Sequence, residues 1–278
     1  KKKYGAPQLT IHRADLLKVL KNKLPDPVVI LNKRAEGIVN SEDGVVVCFS
    51  DGTKRGVDAL IGADGIHSVV RTTLFGKEKP EFTGLISYRS VVQRNTLFVT
   101  NLDAFTKWWG PTSERQIVTF PLNRNKETFV FATTPQEDWR RESWTIPGDV
   151  RELRKAYLDF HPEARALLDG CSEVTKSALY IREPMPVWSV GRTTLLGDAC
   201  HPMMPFMAQG ACMAIEDSIV LSRILENVVA QEIPAKFKDY EEARKARTDR
   251  IQRESRGNQW LKEGGNADWV YGYDAWSV

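Results

Sequence analysis

Cysteine is sparse: Cys48, Cys171, Cys200 and Cys212 are the only four, and no two form a Cys-x-x-Cys. A disulfide framework and a structural zinc site are therefore not expected, and a reducing, cytoplasmic setting is. Long apolar runs are also absent; none approaches the ~20 residues of a membrane span. The basic start Lys1-Lys2-Lys3 leads into Tyr4-Gly5, not into the apolar segment of a signal peptide. Neither charge dominates: 39 Lys and Arg face 36 Asp and Glu, a net +3. That field is too weak to argue for a nucleic-acid partner. No internal repeat or low-complexity tract is visible. What remains is globular composition. The 278 residues, 42% hydrophobic and 27% charged, suffice for one large or two ordinary domains.

The patterning predicts the order of elements. Residues 10–21 read as an amphipathic helix with Leu16, Leu17 and Leu20 on one face, ended by Pro25 and Pro27. Strands follow at Pro27–Asn32, Arg34–Asn40, Val45–Phe49 and Val57–Ile61, with Asp43-Gly44 and Asp51-Gly52 as hairpin turns. A β-rich middle holds strands at Ser87–Val92, Thr106–Trp109, Arg115–Pro121 and Thr128–Thr134. Pro147 to about Leu168 reads as helix, broken near His161-Pro162. A strand at Thr193–Leu196 leads through a loop to a helix over Ala211–Val229, and a charge-rich helix covers 235–262. The fold class is α/β, with the β-rich middle inserted between two strand-to-turn-to-helix units of one domain.

Those two turns hold the residues suited to chemistry. In Leu195-Leu196-Gly197-Asp198-Ala199-Cys200-His201-Pro202, a strand delivers Asp198 at its C-terminal end, where ligands bind in α/β sheets. The loop then feeds a helix whose first N–H groups, near Gly210, Ala211 and Cys212, suit an anion. The same pattern also fits a plain turn with Asp198 as a cap. In Gly62-Ala63-Asp64-Gly65-Ile66-His67-Ser68-Val69-Val70-Arg71, the glycines permit a tight turn that an Asp64–Arg71 pair could fix. Beside Cys200-His201 no carboxylate or second His stands at ligand spacing, so no metal is expected. The run Arg244, Lys245, Arg247, Arg250, Arg253 and Arg256 is interleaved with Glu241, Glu242, Asp249 and Glu254, which reads as a solvated helix with internal ion pairs.

Taken together, the two turns resemble the internal motifs of the flavin-dependent aromatic hydroxylases of the para-hydroxybenzoate hydroxylase class. They occur in that class's order, about 130 residues apart, around a β-rich insertion. Met207–Asp217, Lys107-Trp108-Trp109 and Trp269–Asp274 further resemble the hydroxynicotinate and salicylate hydroxylase branch. The resemblance implies FAD as cofactor, NADH or NADPH as reductant, O2 as co-substrate and a small hydroxylated aromatic or N-heteroaromatic acid as substrate. It implies cofactor contacts at Arg13, Asp64, Gly65, Arg71, Gly197, Asp198, Pro205, Gly210, Ala211 and Cys212. It implies an FAD-binding domain in two parts, residues 1–75 and 186–278, around a β-rich substrate domain at 76–185.

The chain also departs from the class. Its glycines never form a Gly-x-Gly, so the expected Rossmann-like FAD-binding domain is incomplete, lacking a first βαβ unit. The chain therefore reads as a fragment expected to hold FAD weakly or not at all. A non-catalytic remnant of the fold and a hydroxylase of a larger aromatic substrate are the alternatives. In the implied substrate pocket, Phe206 stands where the hydroxynicotinate branch has a His, and Phe105 stands where it has a Cys. Arg115 could pair with a substrate carboxylate or lie solvated at a strand edge. The strand at Thr119 carries no titratable group to serve as a base, and no catalytic residue is assigned.

Overall fold

The computed structural model describes residues 3–100, 102–258 and 266–278. The first third holds α1 (Arg13–Lys21), β1 (Ala35–Asn40), β2 (Val45–Phe49), β3 (Lys54–Val57), β4 (Leu60–Gly62) and α2 (Val69–Phe75). Then come β5 (Glu81–Gln93), β6 (Thr106–Trp109), β7 (Gln116–Leu122), β8 (Glu127–Pro135), β9 (Pro147–Gly148), α3 (Val150–Ala156), α4 (Pro162–Asp169) and β10 (Val174–Ile181). The last part holds β11 (Ser189–Val190), β12 (Thr193–Leu195), α5 (Gly210–Ile224), α6 (Ile233–Gly257) and α7 (Asp268–Tyr271). The chain divides into two compact units: Lys1–Val29 with Phe82–Tyr180, and Ile30–Glu81 with Ile181–Val278.

The first unit is built on a six-stranded sheet in the order β6-β7-β8-β5-β10-β9. Alternate residues of β5, Ile86, Tyr88 and Val92, join Leu153, Tyr157, Ala164, Leu167 and Leu168 of the α3–α4 region in one core. Asp149 caps α3, and His161 with Pro162 opens α4, so the helix breaks where the sequence predicts. The strands that bound the unit meet: the rings of Phe82 and Tyr180 lie 5.5 Å apart. Trp108 packs on the core and stacks on His161.

Two expectations fail near the N-terminus. Helix α1 forms, but none of its residues is buried; Leu17 and Leu20 are 55% and 53% exposed. Residues 27–32 are not a strand, and Leu31 is 67% exposed. An apolar run becomes a strand only where a neighbour pairs its backbone, and among the described residues no strand pairs with it.

The second unit contains the meander β1-β2-β3 and the small sheet β11-β12-β4. The expected strand Val57–Ile61 divides at Asp58-Ala59: β3 pairs antiparallel with β2, while β4 pairs parallel with β12. Helices α5 and α6 close the core through Val220, Leu221, Phe237 and Tyr240, which pack with Trp188, Leu195 and Val70. The end of the expected helix 235–262, residues 259–262, lies outside the described residues.

Candidate cofactor site at two strand ends

The site begins with one parallel pairing. β4 and β12 run side by side, with Gly62 opposite Leu195, and the Leu196 N–H donates to the Gly62 carbonyl at 2.9 Å. Both turns therefore leave the C-terminal ends of adjacent parallel strands, the ligand-binding end of α/β sheets. Gly62 is required by close approach: a Cβ there would lie 2.8 Å from Val70 and 2.9 Å from Leu195.

In the first turn the Asp64 carboxylate accepts from Ser68 Oγ at 2.5 Å, from Val69 N at 2.7 Å and from Val70 N at 3.2 Å. It thereby closes the start of α2. The expected Asp64–Arg71 pair does not form. Arg71 instead donates to Glu78 at 2.5 Å, because the carboxylate of Asp64 is already taken by the helix start. Arg71 is buried, and its Nη1 has no hydrogen-bond partner. Gly65 adopts a φ of 79° at the bend.

In the second turn Gly197 takes a φ of 63°, and a Cβ on it would meet Ala214 of α5 at 3.2 Å. Asp198 follows on the surface. Its carboxylate stands beside the start of α5, 4.0 Å from where a Cβ on Gly210 would be. Pro205 opens a short turn in which Phe206 and Met207 are buried. Gln209 then leads into α5 without a side-chain cap, and the first intrahelical bond is Met213 N to Gln209 O at 2.8 Å. Ala211 and Cys212 are exposed. The amides of 210–212 thus form an uncapped, positive helix end.

Behind this turn lies a buried ion network that sequence spacing did not reveal. His201 Nε2 and Asp217 Oδ2 are 2.6 Å apart, and Gly197 N donates to the same oxygen at 3.2 Å. Arg244 Nε donates to Asp217 Oδ1 at 2.8 Å, and its Nη1 to Tyr273 Oη at 2.8 Å. Glu216 accepts from Arg247 and also pairs with Arg244. Arg244 is 0% exposed, so the basic run on α6 is not wholly solvated. Burial opposes the charge on Asp217, but the His201 and Arg244 charges and hydrogen bonds hold its pKa below the usual value. Burial likewise opposes charge on His201, yet Cys200 and Asp217 outweigh it and raise the imidazole pKa well above its ordinary value. Asp217 also corrects the metal reading. It brings a carboxylate to Cys200 and His201, with ligand atoms within 4.8 Å of one another. Its oxygens are engaged by Arg244, His201 and Gly197, which makes the cluster an ion pair with its hydrogen bonds. The one legible signal was Glu216-Asp217 lying in an otherwise mostly apolar helix.

The remaining expected residues divide between the units. Arg13, at the start of α1, lies with its guanidinium 5.1 Å from the Trp144 ring, which Arg89 also covers at 4.4 Å. Phe105 stacks on Phe120 at 6.0 Å, and Phe120 meets Phe129 at 4.9 Å. Thr119 is buried on β7 opposite Thr106 and Val130. Arg115 is partly exposed, and both ends of its guanidinium bind Asp159, at 2.8 and 2.7 Å. Phe206 belongs to the second unit.

Comparison with known proteins gives this geometry a family. Residues 28–255 match the FAD binding domain family. The chain is 38% identical to 6-hydroxynicotinate 3-monooxygenase of Bordetella bronchiseptica, over 99% of this chain and 72% of that protein. It is 39% identical to the enzyme of the same name from Pseudomonas fluorescens, again over 72% of that protein. The chain belongs to the FAD-dependent aromatic hydroxylases. Among solved structures, a salicylate hydroxylase substrate complex superposes with a TM-score of 0.82 at 26% identity, covering 96% of this chain and 74% of that one. The family's enzyme class is aromatic-ring monooxygenase and its cofactor is FAD. The residues at the strand ends fit such a cofactor. Asp198 would accept from polyol hydroxyls, and the uncapped start of α5 would offer amides to an anionic group. No described helix is long and apolar enough to cross a membrane.

Proposed function

We propose that the protein is a cytoplasmic hydroxylase of a small hydroxylated aromatic or N-heteroaromatic acid, using NADH or NADPH and O2, with FAD held at the ends of β4 and β12. The observations that carry this reading are the adjacency of the two turns and the place of Asp198 beside an uncapped helix start. Relatives named for 6-hydroxynicotinate and 3-hydroxybenzoate support the substrate class. In this reading residues 1–75 and 186–278 bind the cofactor, and residues 76–185 form the substrate domain.

Bound FAD supplies the redox chemistry and the activation of oxygen. The protein's own residues bind and orient. Asp198 accepts from the cofactor's polyol hydroxyls. The amides of Gly210, Ala211 and Cys212 stabilise negative charge on the ring, as a helix N-terminus does for any anion. Pro205 shapes the loop that enters α5. Asp64 and Gly65 fix the first turn, and Arg71 adds a buried cation behind it. Arg13 is proposed as a further cofactor contact. Phe105 and Thr119 in the first unit, and Phe206 in the second, are each proposed as substrate contacts, and an apolar Phe206 gives no hydrogen bond to a ring nitrogen. Titration with FAD, followed by NADH and NADPH oxidation and O2 uptake with hydroxylated aromatic acids, tests the reading. A hydroxylated product one oxygen heavier is the expected result.

A further inference from the structure

We propose that Asp217 is a positioning residue for the cofactor site: clamped by Arg244, it fixes the Gly197–Asp198 turn against α5 and so sets where the Asp198 carboxylate stands. This rests on the reading that Asp198 holds FAD.

Asp217 lies about two helical turns into α5, on the helix whose start faces the proposed cofactor. Its Oδ2 takes both ends of the second turn, the Gly197 N–H at 3.2 Å and His201 Nε2 at 2.6 Å. The turn is itself closed, because Cys200 N and His201 N donate to the Gly197 carbonyl at 3.0 and 2.9 Å. It can therefore shift only as a block. The other oxygen, Oδ1, takes Arg244 Nε at 2.8 Å from α6. Arg244 cannot swing away, since it is fully buried and also holds Tyr273 Oη and Glu216. One carboxylate thus joins the turn, α5, α6 and the C-terminal segment.

The consequence lies at the far end of that strut. A polyol acceptor and a helix end that grip one ligand must keep a fixed spacing. Asp198 sits on the turn, and Gly210 begins α5. Asp217 is the side chain that binds the turn's backbone to that helix. Asparagine at 217 has nearly the same shape, but its NH2 must oppose one of the donors from Gly197, His201 or Arg244.

The test is a double-mutant cycle on the full chain, with FAD affinity read by flavin fluorescence and stability by thermal unfolding of the apoprotein. Asp217→Asn is expected to raise the FAD Kd about tenfold. Asp198→Ala is expected to raise it at least as much, and the double variant to bind within about twofold of Asp198→Ala alone. Multiplied effects in the double variant, or an unchanged Kd for Asp217→Asn, overturn the proposal while leaving Asp198 as a cofactor ligand. An unchanged Kd for Asp198→Ala, or no FAD binding by the wild type, overturns the reading beneath it and the proposal with it. Should Asp217→Asn fail to fold, Arg244→Lys loosens the same clamp. It is expected to weaken FAD binding about threefold, and that effect must vanish in the Asp198→Ala background.

Discussion

Leu196 donates its backbone N–H to the carbonyl of Gly62 at 2.9 Å, so two segments remote in sequence end at one place in the sheet. From that bond onward each segment bends on a left-handed glycine, Gly65 in one and Gly197 in the other.

Gly197 is the more constrained of the two. Gly197→Ala puts a methyl group at a φ of 63° and 3.2 Å from Ala214. A non-glycine residue in this region costs about 1–2 kcal/mol. The expected outcome in thermal unfolding is a Tm lower by about 2–8 °C. Weaker FAD binding should accompany it.

Arg115 is predicted to act in stability and not in substrate binding. Its guanidinium is shared between the two oxygens of Asp159. Arg115→Ala should cost about 1 kcal/mol in urea unfolding, as for a partly exposed bidentate pair. The KM for an aromatic acid should stay within about twofold, because no binding contact is lost. A large rise in KM with unchanged stability would assign Arg115 to the pocket after all.

Removing one member of the buried network should be severe. Arg244→Met leaves Asp217 charged and buried, a loss of about 3–5 kcal/mol. Combining it with Asp217→Asn should restore part of that loss, since the stranded charge goes too. Chemical denaturation of the two single variants and the double variant measures the recovery. If the double variant is less stable than Arg244→Met, the two side chains are not coupled in this way.

His201 gives the protein a pH dependence of known sign. Its folded pKa is raised, with Cys200, Asp217 and the Trp188 ring facing it. The stabilisation is complete below its unfolded pKa of about 6.5 and is lost as pH rises through the higher folded value. Asp217, held low, contributes above its unfolded pKa and loses that contribution as acid protonates the folded form. The Tm difference between wild type and His201→Gln should therefore be largest near pH 6 and shrink toward alkaline pH. A difference independent of pH would mean that His201 is neutral in the folded protein.

Local signals made much of the fold legible. β2 and β6 run over the residues their alternation marks, and the hairpin turns fall at Asp43-Gly44 and Asp51-Gly52. The two glycine turns were legible because a strand end, a glycine and a following helix leave a contiguous signature. Partnership across the chain was not. Residues 27–32 have the composition of a strand, but pairing is decided by a neighbour. β10 was overlooked because Lys176 and Ser177 interrupt its apolar pattern, though Lys176 is buried through its bond to Glu152. Arg244 resembles every other charge on α6 until Asp217 arrives from a different helix. Arg115 looked available until Asp159, beyond three intervening strands and helix α3 in sequence, closed on it.

The meeting of Phe82 and Tyr180 gives the β-rich block a common doorway: the chain enters and leaves it through neighbouring strands whose rings touch. A cassette with adjoining ends can be exchanged without stretching its host. Grafting residues 82–180 from relatives, cut at this aromatic pair, is thus a route to exchanging that block while its two ends stay where they are.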